Sequence, residues 1–360
     1  MPPIPHVDVK AQYAPFLPEL QAAFARTLES GRFILGPEVE GFEAEAAELL
    51  GVAHAVGVAN GTDAIVLVLD ALGIGRGDEI ICPAFTFFAT AEAIARAGAT
   101  PVFVDIDPLT LNLDPREVER RIGPATRAIM PVHLFGRPAA IEELRRFGLP
   151  LLEDAAQAFG APGIASGLAS TFSFFPTKNL FALGDGGLVA TSDPELADRV
   201  RMLRFHGSRA KKQFEFIGYN SRLDALQAAM LRIFLPHIGR WNAARREAAA
   251  RYRELGLGEL VELPLDDPAH VYHMYCVRSP ERDALAAALA AAEIGFASYY
   301  DPPLHLQPAF RELGYAPGDL PETEKAAREN LCLPLWGGID GSAQARVVDV
   351  LRRASGLLAA

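Results

Sequence analysis

The stretch TFSFFPTKNLFALGDGG, residues 171–187, sets a single lysine, Lys178, among aromatics and glycines. Burial disfavours an ammonium, so a lysine on an apolar, glycine-lined turn gives up its proton at low cost. The neutral amine is the form that makes a Schiff base with an aldehyde. The alternative is a lysine that buries its stem and keeps its head in water. In LLEDAAQAFG, Asp154 ends an apolar run and Gln157 follows one turn later. A carboxylate leaving a buried strand needs a cation or a donor. A protonated pyridine nitrogen is such a partner, and holding it keeps the ring of pyridoxal phosphate an electron sink. The alternative is a helix N-cap.

Two further stretches fit the same ligand. VANGTDAIVLVL reads as a strand, then Asn60, Gly61, Thr62 and Asp63, then a helix. Free backbone N–H groups at a helix start, with a glycine for close approach, make an anion site, and the Thr62 hydroxyl adds a donor. A simple capped turn is the other reading. In PAFTFFATAEA, Phe85 and Phe88 read as core, whereas Phe87 is a candidate to lie flat on a ring. Each signal is weak alone. In chain order they make a phosphate cradle, a stacking aromatic, an acid for a ring nitrogen and a Schiff-base lysine.

For these residues to meet, the elements carrying them must end at one edge. AVGVA, EIICP, TPVFVD, RAIMPVH, PLLEDA, STFSFF and GGLVAT read as strands, mostly separated by segments of helical composition. Strands that are apolar throughout and alternate with helices predict an α/β fold whose mainly parallel sheet is covered on both faces. A ligand then binds at the carboxyl ends of the strands. Residues 221–255 read as a long helical region interrupted at Pro236, leading into a strand, an amphipathic helix ending at Gly295 and a smaller α+β tail. The expected division is a large catalytic domain over 1–236 and a small domain over 237–360.

The chain of 360 residues carries a net charge of −11, which argues against a general binder of nucleic acid or anionic membranes. An anionic small substrate then needs a locally basic pocket. Cys82, Cys276 and Cys332 are far apart, odd in number and set among apolar neighbours, so they read as reduced core residues. The start MPPIPHVDVK lacks the features of a signal peptide, and no run of about 18 apolar residues occurs. The expectation is a soluble, cytoplasmic protein. GIGRGD follows a helix and precedes a strand, the reverse of a dinucleotide loop. His270 and His273 have a ligand-like spacing, but no carboxylate or thiol pattern completes a metal site, so no metal is expected.

Over nearly its whole length the sequence resembles the sugar aminotransferases of the DegT/DnrJ/EryC1/StrS type, on the type I fold of pyridoxal-phosphate enzymes. The resemblance rests on SGRFILGPEVEGFE, NGTDA, GDEIICPAFTFFATAEAI, EDAAQAFGA, SFFPTKNL, GDGG, GYNSRLDALQAA and YYDPPLHLQPAF. It implies Lys178 as the Schiff-base lysine, Asp154 on the pyridine nitrogen and Gln157 near the ring hydroxyl. It also implies Gly61, Thr62 and Ser173 on the phosphate, Phe87 stacked on the ring, and Asn220 reaching the phosphate of a neighbouring subunit in a homodimer with shared sites. The chain departs from the family pattern at Phe181, where glycine is usual, and at Phe159, where histidine is common. Phe181 is expected to narrow the pocket or reshape the turn.

The implied reaction is amination of a nucleotide-linked keto sugar with glutamate as amino donor. The forms GYNSRLD and PPLHLQPAF resemble the branch that aminates carbon 3 of a dTDP-linked 6-deoxy-3-keto sugar, and a small Ser221 is expected to leave room for that orientation. The alternatives are a 4-keto sugar, a ketocyclitol, another pyridoxal-phosphate chemistry such as a dehydratase or synthase, or a non-catalytic ligand-sensing regulator. The substrate's diphosphate is expected to meet the basic stretch LRFHGSRAKKQFEF, which carries Arg204, His206, Arg209, Lys211 and Lys212. Lys211 is the first substrate-binding candidate and His305 the second.

Overall fold

The computed structural model describes residues 2–356. Seven strands build the main sheet: β1 (His54–Val58), β2 (Glu79–Pro83), β3 (Thr100–Val104), β4 (Thr126–Ile129), β5 (Leu152–Asp154), β6 (Ala169–Ser173) and β7 (Gly187–Thr191). The ladders β3-β2-β4 and β5-β6-β7-β1 are joined by parallel bridges between Ile129 and Leu151 and between Val132 and Asp154. The spatial order is therefore 3-2-4-5-6-7-1. Only β7 runs antiparallel to its neighbours, β6 and β1. The mainly parallel sheet expected from the apolar strand runs is thus present, and the reversed strand has a consequence. Because β6 and β7 are antiparallel, their connection needs no crossover and stays at the carboxyl edge of the sheet. That connection is the lysine-bearing stretch, closed by Phe174 N–H donating to the Gly186 carbonyl at 2.8 Å.

Both sheet faces are covered. On one side Phe42, Phe172, Phe174, Phe234 and Trp241 form a core with helices Pro37–Leu50 and Ala225–Phe234. On the other, helix Gly61–Ala71 packs on β6 and β7 and against helices Phe88–Arg96 and Pro194–Leu203. Its residues Ala64 to Leu69 are all buried, as an all-round apolar helix requires. Phe181 stacks on Phe234 at 4.8 Å between ring centroids and on Trp241 at 5.9 Å. The aromatic that replaces the usual glycine therefore fills this core and does not border the cleft described below. Phe159 packs edge-on against Phe172 and Phe174 in the same core.

Pro236 lies in a short 3-10 turn between helices Ala225–Phe234 and Ile238–Glu254. Beyond it, β8 (Tyr275–Arg278) and β9 (Asn330–Leu333) pair antiparallel, with helices Ile238–Glu254, Arg282–Ala291 and Gly341–Ala354 around them. The helix expected to reach Gly295 stops at Ala291. Tyr252, Tyr275, Leu285, Leu289, Leu331, Val347 and Leu351 form its core, and Ile4 from the far end of the sequence joins them. Ile4 bridges Ile294 and accepts from Gly295 N–H at 2.7 Å, so the N-terminal segment packs with the C-terminal part. Cys276 and Cys332, distant in sequence, stand opposite each other in the β8–β9 register; all three cysteines are free and buried. Among the described residues no helix is long and apolar enough to cross a membrane.

Candidate active site

Strands β1 to β6 run in one direction, and four of their carboxyl ends surround a cleft of about 610 Å³. After β1, Asn60 caps helix Gly61–Ala71: its side chain accepts from Asp63 N–H at 2.8 Å, and its carbonyl accepts from Ala64 N–H at 3.1 Å. That cap uses Asp63 N–H, and the N–H groups of Gly61 and Thr62 at the helix start stay free of helix bonds. They open on the cleft beside Ser173, at the end of β6. A Cβ on Gly61 would lie 2.7 Å from Ser173 Cβ, so only glycine lets the two strand ends come this close. A Cβ on Gly187 would collide with the Asn60 carbonyl. The last glycine of the GDGG run thus lets the anion seat pack closely on β7.

Asp154 ends β5 and is 6% exposed. One carboxylate oxygen accepts from Thr90 Oγ1 at 2.7 Å and the other from Ala156 N–H at 3.2 Å. Thr90 in turn lies 3.2 Å from the Thr86 hydroxyl. Two acceptors with one donor each leave lone pairs for a cation in the cleft. Lys178 borders the same cleft, and its side chain has no hydrogen-bond partner among the described residues. Burial lowers its pKa to about 8, a shift that the negative charge of Asp154 opposes. The amine therefore gives up its proton more readily than a lysine in water does.

Gln157 is buried; its oxygen accepts from Phe135 N–H at 2.7 Å and its amide nitrogen donates to Tyr300 Oη at 3.1 Å, leaving one amide N–H free. Phe87 lines the cleft with more than half its surface exposed, its ring 6.4 Å from that of Tyr300. An anion seat, an acid for a ring cation, an open aromatic face and a poorly solvated amine thus converge in one cleft. That donor set fits pyridoxal phosphate, with Gly61, Thr62 and Ser173 able to hold the phosphate and Asp154 the ring nitrogen.

Other expected site residues lie elsewhere. His305 is 1% exposed, with Nε2 3.3 Å from Glu324 and its ring edge-on to Tyr315; it lies outside the cleft and is removed from the substrate-binding set. Two of the basic stretch's charges are neutralised: Arg204 is buried against Glu43 and the Gly57 carbonyl, and Arg209 pairs with Asp198 at 2.6 Å. Lys211 lies with its ammonium 5.2 Å over the Phe205 ring, away from the cleft of its own chain. Asn220 is likewise outside that cleft, exposed, and accepts from Arg222. Ser221 is fully buried, its hydroxyl accepting from Ala59 N–H at 3.2 Å, so it makes no room for a sugar in this cleft.

The sequence reading missed Thr90, Tyr300 and His273. Thr90 sits two positions past PAFTFF, one helical turn after Thr86, and carries no motif of its own. Tyr300 and Gln157 are 143 positions apart. His273 was noticed only for its spacing to His270, yet it lines the cleft beside Met274 and Tyr299.

Comparison with known proteins shows the family to which this fold and cleft belong. The model of the DegT/DnrJ/EryC1/StrS aminotransferase family matches residues 17–352. A pleiotropic regulatory protein of Geobacillus stearothermophilus is 48% identical over 360 residues, covering 96% of this chain and 97% of that protein. The dTDP-3-amino-3,4,6-trideoxy-alpha-D-glucose transaminase of Streptomyces venezuelae is 46% identical, covering 98% of this chain and 96% of that enzyme. A crystal structure of S. venezuelae DesV in complex with a ketimine intermediate superimposes with a TM-score of 0.95 at 46% identity, covering 99% of both chains.

Proposed function

The chain belongs to the DegT/DnrJ/EryC1/StrS aminotransferase family, whose members depend on pyridoxal phosphate, and from that premise we propose that this aminotransferase moves the amino group of glutamate onto carbon 3 of a dTDP-linked 6-deoxy-3-keto hexose. The observation that carries the reaction type is the meeting of the desolvated Lys178 amine and the Asp154 carboxylate beside the open N–H groups of Gly61 and Thr62. Likeness to the S. venezuelae enzyme supports the sugar and the carbon.

Pyridoxal phosphate bound there supplies a carbonyl for imine exchange and a ring that delocalises the electron pair freed at the donor's α-carbon. Lys178 Nζ would take the proton from the donor's α-carbon and carry it for return. The Asp154 carboxylate would keep a proton on the ring nitrogen. Gly61 N–H, Thr62 and Ser173 would hold the phosphate, the exposed face of Phe87 would cover the ring, and the free amide N–H of Gln157 would be available to the ring hydroxyl. The regulatory name of the Geobacillus relative does not displace this reading, because the lysine, the acid and the anion seat all converge in one cleft, which a pure sensor does not need.

The carbon is tested on protein carrying pyridoxamine phosphate. Offered separately, the dTDP-linked 3-keto sugar is expected to restore the visible absorption on the order of 10²-fold faster than the 4-keto isomer, since a reacting carbon misplaced by about 1 Å costs that much. A faster 4-keto sugar overturns the carbon assignment, and a faster UDP-linked 3-keto sugar overturns the nucleotide.

The same reading needs a second copy of the chain. Lys211 and Asn220 lie outside their own cleft, and a two-fold partner is the way they reach a phosphate or diphosphate. Light scattering at assay concentration is expected to give twice the chain mass of 38.8 kDa. A fully active monomer removes both residues from the site.

A further inference from the structure

Four arginines are buried, and three of them face a carboxylate. Arg137 pairs with Asp267 at 2.8 Å, Arg204 with Glu43 and Arg278 with Glu262. Arg245, on helix Ile238–Glu254 and 1% exposed, has no carboxylate partner among the described residues. Its Nη1 donates to the carbonyls of Tyr272 at 3.2 Å, His273 at 3.4 Å and Leu335 at 3.4 Å, while Nε and Nη2 have no partner. A buried cation without counter-charge is strongly unfavourable, and buried charges are found paired for that reason.

The residue whose carbonyl Arg245 holds, His273, forms part of the cleft wall and is 3% exposed. Its Nδ1 is buried without a partner, which leaves Nε2 as the ring nitrogen able to meet a ligand. Burial and the positive charges of Lys178, Arg245 and His6 keep the imidazole neutral, so it offers one N–H. The other cation lining the cleft, Arg96, lies 3.9 Å from Asp63, and Glu92, Asp154 and Asp185 add negative charge. Outside the anion seat and Lys178, the wall backed by Arg245 is therefore the part of the cleft that offers an anionic amino donor an attractive charge.

We propose that His273, with Arg245 behind it, receives a carboxylate of the amino donor. His273 Nε2–H donates to the carboxylate oxygen, and that carboxylate is the counter-charge Arg245 lacks. His273 touches the substrate; Arg245 acts through it as a positioning residue. The proposal rests on the aminotransferase reading for the identity of the donor, but its test does not need turnover.

Glutarate, which has carboxylates but no amine, is titrated into the cofactor-loaded protein by calorimetry, alongside the uncharged glutaramide. His273→Ala is expected to weaken glutarate by about 10- to 100-fold, the worth of a hydrogen bond to a charged group, with glutaramide affected less than twofold. His273→Gln, which restores an N–H, recovers part of the loss. Arg245→Met weakens glutarate in the same way and Arg245→Lys largely retains it; if Arg245→Met does not fold, the His273 pair decides alone. No glutarate binding by the wild-type protein, glutarate affinity within twofold in His273→Ala, or equal loss of glutarate and glutaramide overturns the proposal. Glutarate binding that behaves as expected in a protein that transfers no amine from glutamate overturns the aminotransferase donor and leaves the carboxylate site standing.

Discussion

Lys178→Met is expected to lower turnover by about 10⁴-fold or more and, in the cofactor-free protein, to raise stability at neutral pH. The loss of activity follows from removing both the imine-forming amine and the group that moves the proton. The gain in stability follows from the environment of the side chain. Unfolded, the lysine titrates at the ordinary 10.5; folded, burial brings it to about 8. Below pH 8 both states hold the proton, and the folded state bears the full burial penalty. Between pH 8 and 10.5 the folded side chain loses its proton while the unfolded one keeps it, so the unfolded state binds more protons and stability rises with pH. Above 10.5 the penalty is gone. Methionine keeps the stem volume and removes the charge, so the stability difference between variant and wild type is largest at pH 7 and shrinks towards pH 10.5. Urea unfolding of the two cofactor-free proteins at pH 7 and pH 10 reads this directly. A difference that does not change with pH contradicts the desolvation of Lys178, and turnover within tenfold of wild type contradicts its role.

Asp154→Asn is expected to cost about 10²-fold or more in turnover, in line with losing a preorganised charge in a water-poor site. Asparagine keeps an acceptor for Thr90 Oγ1, so the site's shape survives while its charge does not. The substitution also acts on the lysine. The Asp154 carboxylate raises the Lys178 pKa against the effect of burial, so without it the amine titrates below about 8. Acetylation of Lys178 in the cofactor-free protein, followed by mass spectrometry from pH 6 to 9, is expected to reach its plateau at lower pH in Asp154→Asn than in wild type. An unchanged or higher titration point shows that Asp154 is not the charge that Lys178 feels.

Much of this site was legible because its main groups are local events. Lys178, Asp154 and the Asn60–Gly61–Thr62 turn each sit within a few residues of a strand end, and the apolar runs that make those strands are visible as composition. Ordering such strands in a mainly parallel sheet brings their carboxyl ends to one edge without further information. The β6–β7 excursion was legible as a lysine in an apolar turn, but its antiparallel return through Gly187 was not, because strand direction depends on which neighbour the chain finds.

Charge was where local reading reached least far. Five basic side chains from Arg204 to Lys212 look like an anion patch, yet Glu43, 161 positions away, neutralises Arg204, and Asp198 takes Arg209, which leaves Lys211 and Lys212 as the candidates for a substrate anion. His305 looks like a substrate contact beside two prolines, yet it packs inward on Glu324. Arg245 reads as one more arginine on a basic helix; only its burial and the absence of an acid beside it mark it out. By itself the sequence determined which residue types stand at which strand ends, because helix, strand and turn formation depend on near neighbours. The tertiary structure alone decided which ionisable groups are paired, buried or open to the cleft, because their partners lie on other elements, some more than 100 positions away, and desolvation is a property of the packed whole.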